Sequence, residues 1–152
     1  MTTASPHAHG VHFGRTDVQN VGMGVGILAL AVGILGFIPG ITARYGELMF
    51  VGPDSHAMLF GLFQVSMLLN IVQLVIGATG LTMSRTEHGA RNFLIGAGAL
   101  YIVLAIFGLS VGVDSAANFL SLNMTDNWTH MVLGVVMIAC GWLLSRRASD
   151  RT

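Results

Sequence analysis

The chain has 152 residues, 53% of them hydrophobic, and only 9% are Asp, Glu, Lys or Arg. Soluble domains carry roughly 25% charged residues, so too few charges are present to cover a water-facing surface. Seven basic and seven acidic residues balance, which argues against nucleic acid as a partner, and the single cysteine, Cys140, excludes an internal disulfide or a cysteine-cluster metal site.

Residues 1–17 read as a disordered cytoplasmic tail in which His7, His9 and His12 are tail residues and not metal ligands. Four stretches without a charged side chain follow: 18–43, 57–84, 92–113 and 127–145. A helix rises about 1.5 Å per residue, so about 20 apolar residues cross a bilayer core. The stretches predict spans near 18–38, 66–84, 92–112 and 127–145, making 18–145 an all-α, integral-membrane four-helix bundle. The second stretch is too long for one straight span. Pro53, Asp54 and Ser55 signal a turn, so 57–65 is expected at the interface, as a short helix or an extended segment. Residues 146–152 form a second tail.

Arginine sets the orientation. Arg15, Arg85, Arg91, Arg146, Arg147 and Arg151 fall on one side and Arg44 alone on the other. Both termini are expected in the cytoplasm of a cell inner membrane. The first apolar run is too long for the core of a cleavable signal, and it lacks a small-residue cleavage pattern.

The two hairpins read as copies. A shift of 57 residues lays Asn70, Gln73 and Gly77 on Asn127, His130 and Gly134. A shift of 72 lays Gly24, Gly26, Gly36 and Gly40 on Gly96, Gly98, Gly108 and Gly112. The two shifts differ by 15, the extra length of the first outer loop. Within the second span, Asn70, Gln73, Gly77, Gly80 and Ser84 step by three and four, as do Asn127, His130, Gly134, Gly141 and Ser145 in the fourth, with Ile138 filling a step. Such steps share one helical face. Amides are costly in hydrocarbon unless paired, and small residues allow close approach. The stripes are therefore expected to face the bundle interior and each other, with Gln73 bonded to His130. Gly77, Gly80, Gly134 and Gly141 are the packing positions. Asn70, Gln73, Asp126, Asn127 and His130 are the candidate polar cluster, with Asp126 also read as the N-cap of the fourth helix.

The blocks "GFIPGIT", "LFGLFQVSMLLNIVQLVIGATGL", "ARNFLIGAGALY" and "NFLSLNMTDNWTHMVLGVVMIACG" resemble the bacterial membrane proteins grouped as domain of unknown function 4383. The resemblance runs from about Gly22 to Ser145. It implies a four-helix inner-membrane protein, typical of actinobacteria, with no established activity. The family often reads "LHNIVH" in the second span and "DNWLH" in the fourth. This chain keeps Asn70, Asp126, Asn127, Trp128 and His130, but has Leu69 and Gln73 where histidines often stand, and Thr129 where Leu is usual. Those missing histidines argue against a metal or haem.

Other motifs are weaker. His56 and His88 sit in loops, two glycosylation sequons begin at Asn123 and Asn127, and Cys140 lies among apolar neighbours. No Ser-His-Asp set, HExxH, phosphate loop or carboxylate pair occurs. The leading expectation is a non-catalytic structural or accessory protein without metal or cofactor. Its partner is the lipid bilayer, with a homo-oligomer or a membrane partner also compatible. The alternatives are a small-ligand or redox-cofactor binder around His130, and an oligomeric channel or transporter.

The arginine distribution is checked by reporter fusions. Those placed after Ser84 and after Ser145 should report the cytoplasm, and one near Asp114 the opposite side.

Overall fold

The computed structural model describes residues 16–149, with side chains described through residue 144. The three tail histidines and most of both predicted tails lie outside the described residues. Four helices form: α1 Asp17–Leu35, α2 Met67–Met83, α3 Glu87–Val111 and α4 Met124–Ser149. The fold is all-α in class. Three of the helices are long and apolar enough to cross a membrane, and α2 is a shorter apolar helix of 17 residues.

Local chemistry explains where each helix begins. Gln19 in the first turn of α1 accepts from the Thr16 N–H at 3.2 Å, and its amide donates to the carbonyls of Arg85 at 2.8 Å and Ser84 at 3.3 Å. One side chain thus ties the start of α1 to the end of α2. The Ser66 hydroxyl caps α2 by accepting from Leu69 N, and Thr86 caps α3 by accepting from Gly89 N. That cap starts α3 five residues before the predicted 92, because a helix continues past the apolar stretch that announces it. α4 likewise outruns 127–145 at both ends, so residues 146–149 of the predicted tail are helical. Its N-terminus corrects the expected role of Asp126. Asn123 is the capping residue: its Oδ1 accepts from Asp126 N at 2.9 Å, while Asp126 Oδ2 accepts from Asn123 N at 3.0 Å. The two residues cap each other reciprocally. α1 stops at Leu35, short of the predicted 38, since Pro39 disfavours a helical residue before it.

The 36–66 connection holds structure that hydropathy does not reveal. Three two-residue strands, β1 Thr42–Ala43, β2 Met58–Leu59 and β3 Phe63–Gln64, form an antiparallel sheet in the order β1-β2-β3. Thr42 faces Leu59, and Leu59 faces Phe63. The expected segment 57–65 is thus extended and folded into a tight turn. There Phe60 and Gly61 both take positive φ, 53° and 70°. Pairing of this kind satisfies backbone groups that no helix serves. The second connection docks beside it. Ser66 Oγ donates to Leu120 O, Gly52 N to Phe119 O, Ser121 Oγ to Gly52 O and Asn123 Nδ2 to Leu62 O. Both connections form the loop end of the bundle.

The helices pack as two hairpins, α1 on α2 and α3 on α4, each pair more extensive than any contact between hairpins. Glycine makes the hairpins, and it does so twice in the same way. A Cβ on Gly77 would lie 2.6 Å from Leu30 N and 2.8 Å from Gly26 O. A Cβ on Gly134 would lie 3.1 Å from Ile102 N and 2.7 Å from Gly98 O. Gly26 and Leu30 map onto Gly98 and Ile102 under the 72-residue shift. Gly40 and Gly112, another matched pair, both end their segments at positive φ, 93° and 82°. The copies agree at these crossings, although α3 runs four residues further than the matching end of α1.

Burial is inverted relative to a water-soluble bundle. Asn70, Gln73, Asn127 and His130 are buried, whereas Val75, Val103 and Val132 are about 60% exposed on the outer helix faces (59%, 60% and 59%). Apolar faces turned outward around polar interior positions suit a hydrocarbon surround.

Gly77→Leu and Gly134→Leu should each destabilise the protein in detergent. Overpacking typically costs about 1–3 kcal/mol, and here the intruding atoms would meet backbone. A melting temperature equal to wild type in both would show that the crossings are looser than described.

Candidate functional site

The stripes on α2 and α4 do not meet each other. Gly77 and Gly134 each face their own hairpin partner, because a glycine that admits a close crossing commits that face to the helix it touches. Gly80 lies beside Gly26 and the Phe93 ring, and Gly141 beside Leu94 and Ile95. Asn70, 1% exposed, packs against Gly36 of the α1 end, where any Cβ would collide with its amide. Asn127, fully buried, packs against Gly108 of α3 in the same manner. Neither amide has a hydrogen-bond partner among the described residues. An unpaired buried polar group costs about 1–3 kcal/mol, and it is the close approach at Gly36 and Gly108 that encloses both amides. The burial of Asn127 also closes its sequon to modification.

Between the hairpins the expected Gln73–His130 bond is replaced by a three-residue arrangement. The Tyr101 hydroxyl of α3 donates to Gln73 Oε1 at 2.7 Å. The Tyr101 ring stacks on the His130 imidazole, with centroids 5.0 Å apart and planes 26° from parallel. His130 Nδ1 is buried without a partner among the described residues. Tyr101 is the residue that sequence reasoning missed. An aromatic in an apolar span carries no polar spacing signal of its own, although the 72-residue shift sets it opposite Ala29 and marks the pair as unlike.

Beside this arrangement lies a cavity of about 280 Å³. Its walls are apolar residues of α1 and α4, among them Val25, Ala29, Leu133 and Met137, and the roof is Leu59, Phe60, Phe63 and Val65 of the loop-end sheet. The polar side is Asn70, Gln73, Tyr101, Asp126, Thr129 and His130. Four of the five predicted cluster residues thus line one cavity, and Asn127 stands apart from it. Asp126 holds the roof, since its Oδ2 also accepts from Gln64 N at 3.1 Å. Ser55 braces the same turn: its hydroxyl donates to Val65 O at 2.6 Å, and its carbonyl accepts from Gln64 Nε2 at 2.8 Å. Among the described residues no three His, Cys, Asp or Glu gather as a metal-binding group. His56 is exposed on a loop, while His88, expected in a loop, is exposed in the first turn of α3; neither lines the cavity.

The chain matches no curated protein and no solved structure. The model of one family, described as Domain of unknown function (DUF4383), matches residues 19–143 and so takes in α1, α2, α3 and most of α4. With four-fifths of its length inside that match, the chain belongs to the DUF4383 family.

Proposed function

We propose that this protein is a non-catalytic, multi-pass membrane protein that holds a small amphiphile in the cavity between its hairpins. The observation that carries the reading is a mostly apolar cavity of about 280 Å³ whose polar side brings together Gln73, Tyr101, Thr129 and His130, the last with no hydrogen-bond partner for Nδ1 among the described residues. Ligand sites are characteristically apolar hollows, of roughly 300–1,000 Å³, with a few convergent polar groups. A ligand with a polar head would meet that side at His130, and an apolar remainder would fill the rest.

The non-catalytic part rests on the sequence, which brings one histidine to the membrane interior and no recognisable catalytic set. The arginine bias supports cytoplasmic termini, which puts the loop end and the cavity roof toward the outside. The lipid bilayer is then both surround and source of ligand. Leu28 and Phe60 line the cavity yet are more than half exposed, so it opens onto an apolar surface.

The test uses wild-type protein purified in lipid nanodiscs beside Ala29→Phe, which fills the cavity from its α1 wall. Solvent extraction and mass spectrometry should find one amphiphile at about one per wild-type chain, and lose it from the folded variant. Identical extracts containing only bulk lipid would overturn the reading.

A further inference from the structure

We propose that the cavity accepts a hydroxylated aromatic ring bearing an apolar substituent, seated where Ala29 leaves the space that Tyr101 fills in the other half of the molecule. This rests on the cavity being a ligand site. The argument comes from the repeat. Under the two shifts Ala29 corresponds to Tyr101, and His130 to Gln73. In one half, α3 sends the Tyr101 ring toward α2, and its hydroxyl donates to Gln73 at 2.7 Å. The matching positions in the other half are Ala29 of α1 and His130 of α4. Alanine has no ring and no hydroxyl to offer. Both residues line the cavity, and His130 Nδ1 is left without a partner although the residue is only 5% exposed.

The protein therefore contains its own example of what fits. A phenol-type ring in the open half would lie beside Ala29, and its hydroxyl would pair with the His130 imidazole as that of Tyr101 does with Gln73. The apolar substituent leaves past Leu28 and Phe60, which are 53% and 56% exposed. Such a ring could belong to a membrane lipid or to a free phenol. The two share this chemistry and differ in the mass of what is extracted.

Two comparisons test the proposal by thermal unfolding in nanodiscs. In the first, wild-type protein is titrated with 4-propylphenol and with propylbenzene, which differ only in the hydroxyl. The phenol should stabilise at about tenfold lower concentration, the difference that one buried hydrogen bond makes. His130→Phe should abolish that preference. In the second, Ala29→Tyr and Ala29→Phe are compared without ligand. Tyrosine restores the repeat, so Ala29→Tyr should melt several degrees above Ala29→Phe and should no longer respond to 4-propylphenol. Equal response of wild type to both probes overturns the proposal, whether or not either variant folds. So does an Ala29→Tyr protein that is folded but no more stable than Ala29→Phe. An extracted amphiphile without a hydroxylated ring would overturn it too, while leaving the receptor reading intact. Bulk lipid alone would instead remove that reading as well.

Discussion

Close helix crossing at glycine is the constraint on which this molecule is built. Where Gly77 meets Gly26 and Gly134 meets Gly98, each backbone occupies the space a side chain would need. In a hydrocarbon surround, apolar side chains gain little by leaving lipid for protein, so association draws on packing between surfaces that can approach closely. Two such crossings make two tight hairpins, and the looser contact between hairpins follows from them. The same closeness encloses Asn70 against Gly36 and Asn127 against Gly108, so the amides are buried by the crossings and not by any partner of their own.

Much of this was legible in the sequence, for identifiable reasons. Uncharged stretches count helices because charge is excluded from hydrocarbon, and the repeat is visible because its glycines cannot be replaced at a crossing. Helix ends were less legible. Thr86 and Asn123 begin their helices outside the apolar stretches, and capping chemistry is indifferent to hydropathy. The strands of residues 42–64 escaped because pairs of two residues are too short to show alternation. The facing of the stripes was misjudged for a different reason. Spacing by three and four tells which side of α2 carries Asn70 and Gly77, but nothing in the spacing says which neighbour lies there.

The candidate site arises where the repeat is broken. Asn70, Gln73, Asp126 and His130 could be chosen from sequence because polar residues in apolar spans are conspicuous. What joins Gln73 to His130 is Tyr101, and what opens the cavity beside them is Ala29, two residues with no conspicuous feature except that they occupy matching positions. Copies that agree where Gly26 meets Gly77 and Gly98 meets Gly134, and differ where Ala29 stands opposite Tyr101, leave a bundle that is regular at those crossings and asymmetric in its interior.

The bond between Asp126 and the Gln64 N–H joins positions 62 residues apart in the chain. Contacts within each hairpin are between neighbouring elements and can form as soon as both helices exist, whereas the roof strand must wait for the first turn of α4. During synthesis from the N-terminus, α1 and α2 can therefore close on each other while the segment above them still lacks its anchor. The roof is then the last part to be fastened, and its fastening coincides with the arrival of His130, one helical turn beyond Asp126. The Asp126 anchor of the roof and the His130 part of the polar wall thus enter together, after Asn70, Gln73 and Tyr101 are already in the chain.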